Sequence, residues 1–318
     1  MRQLLSTITL LIFVLFARCQ KADEVKPQAP MTVKNYEGHI HVGYFSKEEN
    51  MQISFYPCGV NQLFGIAKVC YYSTLNDHYQ DRASGSYNSN TDWIGPYHVC
   101  SAASVQSGIV RKFTGGWHGG NGDGTGSPTA STTEVNMAVD GENISGNFER
   151  NCNQADLIVS NLVQGYDFSL TNKTLLKEIV HYSIKTNRQI DVQVTIEALE
   201  DLVIQRYYGF QSQNFALFDS VKYLAGQHVI NGDLINVNNS CRSNDGVNTI
   251  LLTDNEKQHQ LKLILNIEEG LGIGMLGEGI PRAFSASYRK SYFNLVNGID
   301  LSLKKGEKVF WKGTWFWD

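Results

Sequence analysis

The run Leu176-Lys-Glu-Ile-Val-His-Tyr-Ser-Ile-Lys185, then Thr186-Asn187, then Gln189-Ile-Asp-Val-Gln-Val-Thr-Ile196 decides the fold. In the second arm Val192, Val194 and Ile196 share one face, while Asp191, Gln193 and Thr195 share the other. Period-two alternation of this kind marks a half-buried strand. The first arm alternates in the same way, and Thr186-Asn187 between the arms carries turn chemistry. Two alternating runs around a short polar turn read as an antiparallel hairpin.

The same signal recurs outward in both directions. Gln52–Tyr56 alternates. Thr132–Val139 alternates and stops at Asp140-Gly141, a hairpin-type turn, after which Asn143–Arg150 reads as the return strand. Leu202–Phe210, Leu261–Ile267 and the aromatic Lys308–Trp317 continue the series. Ala198–Ile204 offers a helical turn at most. Strands without intervening helices exclude a parallel α/β sheet. The expected fold is therefore all-β, an antiparallel β-sandwich of jelly-roll-like type.

Composition agrees with that reading. The 318 residues include 29 Gly, 15 Tyr, 15 Phe and 5 Trp, with only 18% charged residues. The formal net charge is −4, so no basic excess invites nucleic acid. At the N-terminus, Arg2 precedes an apolar run from Leu4 to Phe16, the length of a signal-peptide core and too short to span a bilayer. Ala17-Arg18-Cys19 follows. Cys19 is read as a lipidated N-terminus anchored at the outer membrane. Ordinary cleavage after Cys19 is the other reading. The expected organisation is a leader at 1–19, a polar tether at 20–35, and one β-rich domain over 36–318, located outside the cytoplasm.

Beyond Cys19 there are five cysteines, Cys58, Cys70, Cys100, Cys152 and Cys241. An odd number leaves at least one without an intrachain partner, and Cys58 with Cys70 is the pair that could bridge a hairpin. No CxxC pair exists, so no zinc knuckle is expected.

Three clusters carry candidate chemistry. Phe113-Thr-Gly-Gly-Trp-His-Gly-Gly-Asn-Gly-Asp-Gly-Thr-Gly126 places Trp117 and His118 among seven glycines, a loop able to bring backbone close to a ligand. Its Asn121, Asp123 and Thr125 begin a calcium-loop pattern, but the closing acid is missing and Glu134 comes too late, so no metal site is assigned and calcium is the only ion the pattern admits. Upstream, Thr91-Asp-Trp-Ile-Gly-Pro-Tyr-His98 packs Trp93, Tyr97 and His98 into a strand entry, where Tyr97 and His98 are expected at the mouth of the cleft that holds His118. Third, Gln205-Arg-Tyr-Tyr-Gly-Phe-Gln211 puts Arg206, Tyr208 and Phe210 on one face of a strand, with Gln205, Tyr207 and Gly209 on the other. Arg binds carboxylates through two parallel hydrogen bonds, and a Tyr beside it can serve as acid or base. Arg282, Tyr288, Arg289 and Tyr292 repeat the Arg/Tyr theme.

Taken together, Asp92-Trp-Ile-Gly-Pro-Tyr97, Phe113-Thr-Gly-Gly-Trp-His-Gly119 and Tyr207-Tyr-Gly-Phe-Gln211 resemble a group of secreted bacterial and phage-associated β-rich proteins with an FTGGxHG-type loop. More loosely, the set is similar to polysaccharide lyases. That resemblance implies a Tyr or His removing the proton beside a uronate carboxylate, with Arg, Asn or Gln neutralising the acid. It assigns His118, Tyr208 and Arg206 to catalysis, and Gln211, Trp117, Tyr97, His98 and Trp93 to the substrate. The expected partner is an acidic polysaccharide cleaved by β-elimination without a cofactor. Two other readings stand beside it: a non-catalytic surface glycan-binding protein using Trp93, Trp117 and Tyr97 as platforms, and a hydrolase using Glu197, Glu200 or Asp201. The GxSxG, HExxH and Walker patterns are absent from the sequence.

Overall fold

A computed structural model describes residues 31–46, 49–72, 93–94, 97–105, 108–117, 119–120, 126–213, 218–234, 238–254 and 259–318. The described chain is nearly all strand, and its one α-helical piece is a single turn, α1 (Phe168–Thr171). Three sheets form it. The first contains β1 (Met31–Tyr36), β2 (His39–Tyr44), β3 (Asn50–Cys58), β4 (Leu63–Tyr72) and β8 (Phe148–Cys152), in the order β4-β3-β2-β1-β8.

The largest sheet has ten strands. They are β6 (Ala130–Val139), β7 (Glu142–Ile144), β9 (Gln154–Gln164), β10 (Thr174–Lys185), β11 (Gln189–Ala198), β13 (Ser220–Ala225), β14 (His228–Leu234), β16 (Thr249–Thr253), β17 (Gln260–Leu265) and β21 (Lys308–Trp317). Their order is β14-β13-β16-β17-β21-β11-β10-β9-β6-β7. The third sheet runs β15 (Asn239–Arg242), β19 (Pro281–Ala286), β20 (Lys290–Leu303), β12 (Leu202–Gln213), β5 (His98–Ala102), with β18 (Met275–Leu276) parallel to β20.

The alternation in β10 and β11 sets the architecture. Val180, Tyr182, Ile184, Val192, Val194 and Ile196 are all buried, and on β21 Trp311, Trp315 and Trp317 point the same way. This apolar face of the ten-stranded sheet is covered by both smaller sheets. Phe55 of β3 packs edge-on against Tyr182, with ring centroids 5.4 Å apart. Phe210 of β12 meets Trp311 at 5.0 Å and Trp315 at 4.8 Å. Edge-to-face aromatic contacts of this kind add to the area they bury.

Three local expectations change. The first strand begins at Met31, five residues before the expected start of the domain, because Met31 and Val33 are buried and pair onto β2 and β8. The return strand expected over Asn143–Arg150 is two strands: β7 pairs with β6 for three residues, and after Gly146 the chain leaves as β8 to pair with β1. At Ala198–Ile204 there is a bend rather than a helical turn, and β12 starts at Leu202.

All five cysteines of the described chain are unbridged, so Cys58 and Cys70 do not close the β3–β4 hairpin. Burial pushes the thiols up, to about 12 for Cys100 and Cys152 and about 11 for Cys70 and Cys241. At pH 8 the reactive thiolate is then about a thousandth of each or less. Native protein treated with a thiol reagent at pH 8 should label the half-buried Cys58 first, and the other four only after unfolding. Mapping by peptide mass spectrometry checks this. Rapid native labelling of Cys100 or Cys152 would show that their burial has been misjudged.

Candidate functional site

Strand β12 holds the site, and its irregular pairing explains which side chains face out. Pairing with β20 and β5 slips between Ile204 and Arg206, and pairing with β20 slips again between Tyr207 and Tyr208 and between Tyr208 and Gln211. A slip that adds a residue to β12 changes which parity of its residues faces the core; the first does so against β5 and the last against β20, whereas the middle one adds its residue to β20. Leu202 and Ile204 point inward, but after the first slip Tyr207 does, and after the last so does Phe210. Phe210 therefore lies on the opposite side of the sheet from Arg206 and Tyr208, contrary to the strict alternation expected from the sequence.

Tyr208 sits in an aromatic row crossing the outer face of this sheet. Phe284 of β19 and Tyr292 of β20, directly opposed in register, stack at 4.7 Å. Tyr208 lies 5.2 Å from Tyr292 and 5.5 Å from Phe113. Phe113 stacks on Tyr97 at 4.2 Å. Tyr288, 59% exposed, closes the other end with its hydroxyl 3.1 Å from that of Tyr292. The Arg206 guanidinium lies over Phe113, 5.9 Å from the ring centre, and bonds to Tyr208. No carboxylate pairs with Arg206 among the described residues. Burial pushes the Tyr208 phenol above its ordinary range, and Arg206 offsets this only in part. Tyr208 is therefore a neutral O–H donor at neutral pH.

His98 is not in this row. Its ring is fully buried on the core side, stacked on Tyr207 at 4.2 Å and bonded through Nε2 to Glu178 at 2.9 Å. The Tyr207 O–H donates to Glu178 at 3.1 Å, and the Trp311 N–H donates to the Tyr207 oxygen at 2.8 Å. Tyr207 is held neutral, its phenol raised well above the ordinary range by burial and then by the Glu178 charge. This cluster locks β5, β10, β12 and β21 together. The expectation that His98 stands at a cleft mouth is corrected: its backbone pairs with Thr114 while its imidazole lies in the core against Tyr207 and Glu178.

Trp93 is likewise sealed, 1% exposed, with its ring about 6 Å from Trp315 and Trp317. It cannot act as a stacking platform. Gln211 is fully buried beside Trp93, whose carbonyl accepts its backbone N–H at 3.1 Å, so it is not placed to meet a carboxylate. Half-buried Trp117 lies at the β3–β4 turn, where its carbonyl accepts the Val60 N–H at 2.8 Å. Its backbone occupies the space a side chain on Gly59 would need, 2.8 Å from the Cβ position, and Gly59 has φ +71°. His118, Asn121, Asp123 and Thr125 lie outside the described residues. Of the eight assigned residues, the structure thus groups Tyr208, Arg206 and Tyr97.

Several contributors were not singled out from the sequence. Phe284 gives no signal of its own in the sequence, and Phe113 stands there only as the residue that opens the glycine-rich loop. Buried Asn61 clamps both ends of that loop, donating to Gly116 O at 2.6 Å and accepting from the N–H groups of Thr129 and Ala130. Arg282, part of the Arg/Tyr theme, is structural: its guanidinium donates to the carbonyls of Gly272, Ile273 and Ser243.

No protein-family model matches the chain, and no curated protein matches it by sequence. Among solved structures it is similar to a galactose 1-epimerase from Lactobacillus acidophilus, with TM-score 0.36, 10% identity, and 90% of this chain and 98% of the other covered. It is also similar to a candidate mutarotase of Salmonella typhimurium, with TM-score 0.35, 5% identity, and coverage of 91% and 93%. A heparinase III shows TM-score 0.30 and 10% identity over 92% of this chain and 35% of the other.

Proposed function

We propose that the protein is an exported carbohydrate-binding protein that holds an acidic glycan along the outer face of the six-stranded sheet. The observation that carries this reading is the Arg206 guanidinium, without a carboxylate partner among the described residues, set on a row of aromatic rings. A half-buried cation on an aromatic platform suits a ligand that is flat, apolar on its faces and negatively charged at one edge. A uronate ring has those properties. Phe113, Tyr208, Phe284 and Tyr288 supply the exposed or half-exposed surfaces, and Tyr97 and Tyr292 support them from below. The leader and Cys19 support a location outside the cytoplasm, tethered by lipid.

A second reading, β-elimination on the same face, is favoured by the contact between Arg206 and Tyr208. In that reaction the C–H bond beside the carboxylate breaks, a C=C bond forms and the glycosidic C–O bond breaks. Arg206 would steady the charge on the carboxylate. Tyr208, protonated through the neutral range, would deliver a proton to the leaving oxygen, and a base, for which the sequence offers His118, would take the first proton. Because its phenol is raised, this acid role would be lost only as pH rises past its elevated pKa.

Affinity electrophoresis on gels containing polygalacturonate or alginate, run beside ultraviolet monitoring of unsaturated product, tests both readings. Retention is expected, and Arg206→Ala should weaken it about tenfold or more, the usual effect of losing hydrogen bonds to a charged group. Absorbance that rises with wild type and stops with Tyr208→Phe selects elimination. Uronate retention equal in wild type and Arg206→Ala would remove the reading.

A further inference from the structure

The opposite side of the molecule carries a hollow that the acidic-glycan reading does not use. It lies on the outer face of the ten-stranded sheet, has a volume of about 470 Å³ and is lined from β10, β11, β21 and β17. That is within the size range of small-ligand sites. Its floor is built by register. His181 opposes Gln193, which opposes Lys312; one step along, Ser183 opposes Asp191, which opposes Thr314. Neighbouring strands are about 5 Å apart. Two parallel rows of hydrogen-bonding side chains therefore cross the hollow at about the width of one sugar ring.

A solvated sheet face also carries polar residues, but these are held in place. Asp191 accepts from Thr314 at 2.6 Å, from Gln189 at 2.7 Å and from Lys185. Burial pushes its carboxyl up, but these bonds more than offset that, and it titrates below its ordinary value. His181 is oriented by Asp156, 3.0 Å from Nε2. One wall is fixed by Asn266, whose backbone N–H donates to Lys312 O at 3.0 Å, and by Glu269, which accepts from both Lys312 and Asn266. Gln193, exposed in the middle of the floor, keeps its amide unengaged among the described residues. Fixed polar groups around a free amide are a preorganised hydrogen-bonding surface.

Charge decides the class of ligand. Lys312 is already paired with Glu269 and Lys185 with Asp191, and Glu268 also lines the hollow. Asp191, Glu268 and Glu269 outnumber Lys185 and Lys312, and both lysines are already paired, so the hollow favours an uncharged ligand over an anion. On the same strand and face, Phe310 and Phe316 flank Lys312 and Thr314, about 20 Å apart by strand rise. We infer that this hollow is a second saccharide site, one that takes a neutral, polyhydroxylated chain.

Isothermal titration of the full-length protein with cellohexaose, mannohexaose, xylohexaose and maltohexaose, with a galacturonate trimer as the charged comparison, tests this. Saturable binding of at least one neutral hexasaccharide is expected. Gln193→Ala should weaken it about three- to tenfold, as for one lost hydrogen bond, and Gln193→Ala with Lys312→Met further still. Gln193 is exposed, so that substitution leaves folding intact, and uronate retention on gels should be unchanged by it. Failure of all four neutral chains to bind overturns the inference. So does neutral binding that Gln193→Ala leaves at wild-type strength.

Discussion

Glu178→Ala is expected to lower the unfolding free energy by about 3–5 kcal/mol, the usual cost of removing one partner from a buried ionic or strongly polar pair. Glu178 is fully buried, and its Oε2 is the point where the His98 ring and the Tyr207 hydroxyl meet. Without it, the His98 Nε2 and the Tyr207 O–H lose their partner in a region with no route for water. Two atoms of the cluster, His98 Nδ1 and Glu178 Oε1, already lack a partner. A polar network in that condition is costly to damage further and gains little by being polar. The double variant His98→Phe with Glu178→Leu should therefore be less destabilised than the sum of its single changes, because it removes the carboxylate together with one of its two partners, leaving only the Tyr207 hydroxyl without its acceptor. Urea denaturation of the four proteins gives the coupling energy directly. Single changes that cost under 1 kcal/mol and add would mean the cluster contributes nothing as a unit.

What the sequence revealed and what it hid divide along β12. The β10–β11 hairpin was legible because one face is buried and the pairing has no slip from Leu176 to Ile184, so period two holds throughout. The chain end was legible for the same reason: Lys308–Trp317 is β21, with its Trp side chains inward. Strand β12 has the residues of a strand, but three slips scramble its faces. Local sequence does not announce these slips, because part of the excess lies on the partner strand: adjacent Tyr207 and Tyr208 oppose Val296 and Asn294 of β20. Pairing Phe210 with Tyr208 was the natural result.

Aromatic residues mislead in another way. Tyr97 and His98 are adjacent, so local sequence puts them in one place. At the entry to β5 successive side chains face opposite sides, and Tyr97 supports the outer row while His98 enters the core. The sequence context of Trp93 suits a platform, but its indole completes a tryptophan cluster with β21. The Arg/Tyr theme at Tyr288 and Tyr292 proved informative because both rings extend the row, whereas Arg282 serves three carbonyls. The polar rows of the second hollow were visible only as the wet side of good strands. Register across three hairpin and long-range pairings, which no single segment encodes, brings them together.

Gly313→Ala is expected to be among the most damaging single methyls that can be added to the described core. Gly313 lies on β21 between Trp311 and Trp315, paired with Val192 on one side and Leu265 on the other. Its backbone conformation is ordinary for a strand, so the constraint is space. A Cβ there would lie 1.8 Å from Phe210 Cε2 and 2.6 Å from the Ile264 carbonyl oxygen. The Phe210 ring cannot swing away, since Trp311 and Trp315 hold it at 5.0 and 4.8 Å. The carbonyl belongs to the neighbouring strand and cannot move without breaking the ladder. Overpacking usually costs about 1–3 kcal/mol, and with both neighbours immobile the expected loss is at or above the top of that range. The strain is transmitted along β12, because Phe210 is two residues from Tyr208, and pushing the six-stranded sheet outward disturbs the aromatic row. Thermal unfolding should show a large fall in midpoint, and acidic-glycan retention should weaken in the same variant while the fold is still intact. Phe210→Leu alone should cost about 1–2 kcal/mol through lost packing, yet added to Gly313→Ala it should restore part of the stability by opening room for the methyl. If Gly313→Ala stays within 0.5 kcal/mol of the parent, the close approach of β12 and β21 that joins the two sheets is not as tight as their contacts require.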